Sequence, residues 1–469
     1  MNADPTQPPP ADRWIFIGWL LLILWAPLPI GSVLPWAHGL LESWILLLAI
    51  GWSLLYATRR TRLTSAFHAA RPLLLLLLAW CLLIALQLLP LPPALLALLF
   101  SEQQNLYART DALQGDQSAV GRITLHPHNT LENLLKSIAY LLFLVLTLLL
   151  LNSSARIKTA LVIVILSGVI QALYGGLLAL HNNQVASGSF VNRNHLAGYL
   201  EICLAIGIGI LVADARESIL VSWRHRIISV LDWLSSPKLL LRLSLALMVV
   251  ALVLTQSRGG NTAFLFGLLL TGLIWLYLTR KRPSPLAVAM ILSILIIDIL
   301  IIGEWFGLQE VIERIQQTRI ESETRADLYR EALAYLHDFA LLGSGLGSFA
   351  TLFPQYRQID SIGGGVAFLH AHNDYLEFAL ESGLLGLSLL AASALLALRT
   401  AWRAMAYRQR SLLQGLGFGA FMGISALLYH SFTDFNLRIP SNALMFMLLF
   451  ALAYIGAYHQ QRQPRIRLV

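Results

Sequence analysis

The stretch Ala139-Tyr140-Leu141-Leu142-Phe143-Leu144-Val145-Leu146-Thr147-Leu148-Leu149-Leu150-Leu151 carries no ionisable side chain except one phenol. Taken from residue 132, it is long enough to cross a hydrocarbon core of about 30 Å as a helix. It has no period-two alternation, which excludes a barrel strand. Comparable runs recur along the chain near 14–30, 40–57, 72–90, 132–151, 157–180, 195–213, 240–256, 260–279, 286–303, 383–399, 412–430 and 440–458. The expected fold class is therefore all-α, a polytopic membrane protein of about 12 transmembrane helices. The whole chain agrees: 57% of its 469 residues are hydrophobic and 12% are charged. Soluble domains carry about 25% charge.

The other features follow from that frame. The two cysteines, Cys81 and Cys203, lie inside apolar runs and indicate neither disulfide nor metal site. Residues 1–12 are polar and proline-rich, without a basic region or small-residue cleavage site, so the first span is expected to be retained. The tightest break is Ser257-Arg258-Gly259-Gly260, which demands a short turn at or within the membrane edge.

Charge sets the expected orientation. With the N-terminus inside, 22 of the 33 basic residues fall in inside segments, among them Arg59, Arg60, Arg62, Arg156, Lys158, Arg408 and Arg410. That matches the positive-inside rule. The formal +8 charge then belongs to topology and anionic lipid, and nucleic acid is not expected as a partner. The chain divides into a cytoplasmic tail (1–13), spans one to nine (14–303), a large outside loop (304–382), spans ten to twelve (383–458) and a second cytoplasmic tail (459–469).

The remaining eleven basic residues lie outside, where the rule does not explain them. Arg258 stands beside two glycines at the membrane edge, either snorkelling to lipid phosphate or gripping an anionic substrate. Arg325 lies on the apolar face of an amphipathic helix read over 321–339, so it wants a buried carboxylate or an anionic ligand. Arg193 enters the sixth span within Asn192-Arg193-Asn194-His195 and can also be a solvated loop-end charge. Lys136, Arg357 and Arg438 are expected to be interfacial. Gly343-Ser344-Gly345-Leu346-Gly347 reads as a turn, because no βαβ unit surrounds it.

His372 is the sharpest candidate. It opens His372-Asn373, followed after nine residues by Gly383-Leu384-Leu385-Gly386, where the polar loop enters the tenth span. A titratable imidazole at a membrane edge is a functional-site hypothesis by default. His370, His372 and Asp374 form His-x-His-x-Asp, but a metal site needs three or four ligands and Tyr375 follows. No Gly-x-Ser-x-Gly elbow supports a serine hydrolase. A general base for a hydroxyl remains. His195 can equally be a core histidine bonded to a neighbour.

Four features together resemble the O-antigen ligase and O-antigen polymerase superfamily of bacterial envelopes. They are Phe190 to Gly198, Ser257-Arg258-Gly259-Gly260, the segment Gly343 to Phe349 with Phe353-Pro354-Gln355-Tyr356, and His370 to Gly386. The resemblance implies a metal-independent, inverting glycosyltransferase of the bacterial inner membrane, without cofactor. It implies a glycan donor on undecaprenyl pyrophosphate and, on the periplasmic face, a lipid A–core or lipid-linked glycan acceptor. Repeat-unit polymerases and protein O-oligosaccharyltransferases share these motifs. Carried over by position, the catalytic residues are His372 as base, with Arg258 and Arg325 on the pyrophosphate. The substrate-binding set is Arg193, His195, Asn192, His370, Asn373 and Tyr329. Independently, a pyrophosphate gains charge as it leaves, and fixed arginines can answer that charge. The chain has no Asp-x-Asp pair at a membrane edge to hold a divalent ion instead. From another class, a transporter or flippase of a lipid-linked glycan fits the span number, but no two halves match and the polar residues gather on one side.

Overall fold

A computed structural model describes residues 11–114, 121–182, 185–215, 237–279, 328–357 and 368–460. Among these residues there is no strand, and eleven apolar helices of 13 residues or more dominate. They are α1 (Arg13–Trp25), α2 (Pro35–Ala57), α3 (Arg71–Gln87), α4 (Pro127–Leu150), α5 (Ser154–Asn182), α6 (Arg193–Ala215), α7 (Pro237–Leu254), α8 (Arg258–Thr279), α9 (Asp374–Tyr407), α10 (Ser411–His430) and α11 (Pro440–Tyr458). Eight of these are long and apolar enough to cross a membrane, and α1 and α3 are shorter apolar helices. The protein is thus an all-α, multi-pass membrane protein. The expected span at 286–303 lies outside the described residues, so the structure does not reach the full twelve.

Helices α6, α10 and α11 form the centre, buried along most of their length. Lipid tails are as apolar as leucine, so packing here depends on close approach. Glycines provide it: a methyl group placed on Gly209 of α6 would meet the Gly415 carbonyl oxygen of α10 at 2.4 Å. The outer helices turn bulky side chains outward, as with Leu47 and Leu54 on α2, Leu75 and Leu82 on α3, and Leu273 and Tyr277 on α8. Such an apolar exterior is what lipid requires.

The two ends of the bundle differ in chemistry. At one end Asp12 holds Arg156 through two hydrogen bonds of 2.7 and 2.9 Å, Thr64 donates to the Leu148 carbonyl, and Arg408 donates to the His459 carbonyl. The basic segments of the described residues gather here. The opposite end holds the links between α3 and α4, α5 and α6, α7 and α8, and α10 and α11, together with the polar loop before α9. The break at Thr255–Ser257 is a single tight turn, with Gln256 at φ 51°.

The loop enters α9 through a constrained joint. Gly383 has φ 68° and ψ 178°, a region open only to glycine, and interrupts α9 after its first turns. The 340–342 turn lies against it, with Leu384 N donating to the Ala340 carbonyl at 2.7 Å. A methyl group at Gly383 would meet the Leu341 carbonyl oxygen at 2.2 Å. Gly383→Ala should therefore destabilise the protein by about 2 kcal/mol or more. Thermal unfolding in detergent checks this, and an unchanged midpoint would contradict it.

Candidate functional site

Three short segments converge at the polar end: the residues before α9, the turn 431–439 between α10 and α11, and the start of α8. The first two are locked together. Asp374 N donates to the Ser431 carbonyl at 2.9 Å. The Asp374 carboxylate accepts from Ser431 Oγ at 2.8 Å and from Leu437 N at 3.1 Å. Asn373 caps α9, its Oδ1 accepting from Leu376 N at 3.1 Å. These bonds hold His372 at φ 49°, a left-handed conformation that histidine tolerates better than most residues.

That geometry brings His372 to Asp434. The ring Nδ1 lies 3.3 Å from Asp434 Oδ1, which also accepts from Phe435 N at 2.9 Å. Asp434 is buried, whereas the His372 side chain is 38% exposed. Burial alone would raise the Asp434 pKa. The His372 hydrogen bond, the charges of His195 and His430 and the Phe435 N–H outweigh it, taking the carboxyl down to about 2. Asp434 is thus an anion at any working pH. It can orient the imidazole and stabilise its charge while Nε2 accepts a proton.

Phe435 sits at the centre of three imidazoles. His370 stacks on it at 4.0 Å, and His195 and His372 meet it edge-on at 4.7 and 5.0 Å. His370 Nδ1 lies 2.9 Å from Glu377 Oε1, and Glu377 Oε2 accepts from Ala371 N at 2.9 Å. Arg438, expected at the interface, is instead buried between two carboxylates. Its Nε lies 3.1 Å from Glu377, and its Nη2 bonds Glu381. The turn's sequence contains no hint of this, because the partners are sixty residues away along the chain. Glu381 in turn accepts from Phe349 N at 2.9 Å, and Gln87 donates to its carbonyl at 2.9 Å, tying the loop to α3.

Arg258 approaches from the other side. It is exposed at the first position of α8, beside glycines whose need is now plain. A methyl group on Gly259 would meet Thr433 Oγ1 at 2.4 Å and the His430 ring at 3.1 Å. One on Gly260 would meet Ala197 at 2.5 Å and Glu201 at 3.2 Å. The glycines therefore let α8 press against the turn that carries Asp434. Beneath it, His430 and Glu201 form a fully buried pair at 2.8 Å.

The other expected residues fall as follows. Asn192 accepts from Asn194 N at 2.8 Å, and Arg193 is exposed at the start of α6. The His195 carbonyl accepts from Asn442 at 2.9 Å, and its ring faces Phe435. Tyr329 packs into the loop's own apolar cluster with Tyr335, Phe349 and Phe353, and no bond links it to His372. Arg325 lies outside the described residues. The glycine run is a turn filled by protein: a methyl group on Gly345 would meet Thr124 at 2.0 Å, and one on Gly347 would meet Asn133 at 2.6 Å.

Sequence reasoning missed Asp434, Glu377, Glu381, Glu201 and His430. Glu201 did carry a signal, since a carboxylate within an apolar span is costly unless paired.

Residues 243–391 match the family model described as O-antigen ligase. The match takes in Arg258, the loop, His372 and Gly383 to Gly386. No curated protein matches the chain. Residues 243–391, less than half of the chain, are thus similar to the O-antigen ligase family.

Proposed function

We propose that this chain, a multi-pass protein similar over residues 243–391 to the O-antigen ligase family, is an inverting, metal-independent glycosyltransferase. It would take a glycan from undecaprenyl pyrophosphate on the periplasmic face of the inner membrane and add it to a hydroxyl of lipid A–core, with both termini cytoplasmic. The observation that carries this reading is the His372–Asp434 pair, at a turn against which the start of α8 also rests.

His372 Nε2 would remove the acceptor's hydroxyl proton as the oxygen attacks the anomeric carbon. The carbon–oxygen bond to the pyrophosphate breaks, inverting the centre. Asp434 holds Nδ1–H throughout and balances the imidazolium. Arg258, with Arg325 on the strength of the resemblance, would neutralise the departing pyrophosphate. His195, His370 and Asn192, Arg193, Asn373 would shape the surface on which the sugars sit. The segregation of basic segments to the far end supports the sidedness. Repeat-unit polymerisation or protein O-glycosylation would use the same chemistry with a different acceptor.

Reconstituted protein given a labelled lipid-linked glycan and lipid A–core tests the reading. Transfer with inversion and without added divalent ion is expected, and dependence on such an ion would contradict it. Arg258→Lys should lose nearly as much activity as Arg258→Ala, because a point charge cannot grip two phosphate oxygens at once. Near-normal turnover in the lysine variant would mean that charge alone suffices.

A further inference from the structure

A second feature opens beside Asp374 and Tyr375. It is a cavity of about 140 Å³ walled by α3, α4, α9 and α11, far beyond the ~10–15 Å³ one water needs. Its lining is mostly apolar, including Trp80, Phe378, Leu390 and Phe446. One end is polar and touches Asp374 and Tyr375, two and three residues beyond His372. No residue of α8 lines it.

That polar end holds two donors that make no hydrogen bond among the described residues. Lys136 and Tyr140 stand one turn apart on the same face of α4 and both line the cavity. Neither the ammonium nor the phenol makes a hydrogen bond or ion pair there. Glu132 and Glu42 act on Lys136 through charge alone and are engaged by His128 and His38, each at 3.2 Å, while Asp374, in the same lining, accepts from Ser431 and Leu437 N. Arg438, at the same end, is already held by Glu377 and Glu381. A cation left in an apolar membrane cavity calls for an anion. A phosphate is suited to both an ammonium and a hydroxyl, and the apolar remainder suits an acyl chain.

We propose that this cavity seats the acceptor lipid: an acyl chain enters between α3, α4, α9 and α11, and a headgroup phosphate binds Lys136 and Tyr140. This rests on the transferase reading and assigns donor and acceptor to separate surfaces, since no α8 residue lines the cavity. The donor's pyrophosphate meets Arg258, and the acceptor's lipid anchor meets Lys136.

The test uses the full chain in nanodiscs, with lipid A–core as acceptor probe and a lipid-linked glycan as donor. Lys136→Gln and Tyr140→Phe should each raise the acceptor KM about tenfold, with kcat and donor KM within about twofold. Ala394→Phe, which fills the cavity, should do the same. Lipid A–core stripped of phosphate should bind Lys136→Gln and the parent protein equally. A shift in donor KM instead would make the cavity the donor's seat and overturn the proposal. An unchanged acceptor KM, or equal competition by phosphatidylglycerol, would overturn it as well. Binding of lipid A–core to a His372→Asn variant separates the two ideas. No transfer by the parent protein sinks the transferase reading, whereas parental transfer lost in His372→Asn but normal in Lys136→Gln, acceptor KM included, sinks only the acceptor seat.

Discussion

His372→Asn should lower the rate of glycan transfer by about 10²- to 10⁴-fold, the usual contribution of a positioned general base. Asparagine is the cleaner substitution, because His372 sits at φ 49° and asparagine enters that region most readily after glycine. His372→Ala should lose as much activity and, in addition, about 1 kcal/mol of stability from the same backbone strain. Donor binding should survive in both, since the pyrophosphate contacts are assigned to arginines. Single-turnover transfer with labelled donor, alongside donor binding and thermal unfolding, checks all three statements. A His372→Asn protein that turns over normally would remove the histidine from the chemistry.

Asp434→Asn should cost nearly as much, on the order of 10²- to 10⁴-fold in kcat, with donor KM little changed. An asparagine at 434 can still accept from Phe435 N, so the turn should stay folded. What it loses is the anion that fixes the proton on His372 Nδ1 and balances the imidazolium. The carboxyl of Asp434, depressed to about 2, stays ionised far below neutral pH. Asp434 therefore sets no acid limb of the pH–rate profile near neutral pH. The stability sign is also defined. The folded pKa lies below the unfolded value near 3.9, so Asp434 contributes fully above about pH 4 and loses that contribution as pH falls toward 2. Asp434→Asn should remove this acid-labile part of the stability. A variant that keeps its kcat would leave Asp434 with a structural role alone.

The sequence made the bundle legible because apolar runs of span length have few other uses. The expected spans at 412–430 and 440–458 coincide with α10 and α11 almost to the residue. The entry to α9 was placed later in the sequence, at 383, because charge in Asp374, Glu377 and Glu381 masks the helix there. Those carboxylates are affordable only because Arg438, His370 and backbone N–H groups meet them. The site was half legible. His372, His370, His195 and Arg258 announced themselves as polar groups at a membrane edge. Asp434 did not, because an acid in a short turn looks like any loop residue until the fold brings α9 beside it. Tyr329 packs against the loop's apolar cluster.

The most direct measurement is glycan analysis of cells whose chromosomal copy encodes His372→Asn, with envelope lipopolysaccharide and undecaprenyl-linked intermediates followed together. Long lipid-linked chains accumulating beside bare lipid A–core is the expected result. Single lipid-linked repeats with no long chains would assign repeat-unit polymerisation instead. Unchanged glycans on every carrier would contradict glycan transfer by this protein and bring transport of a lipid-linked glycan to the front.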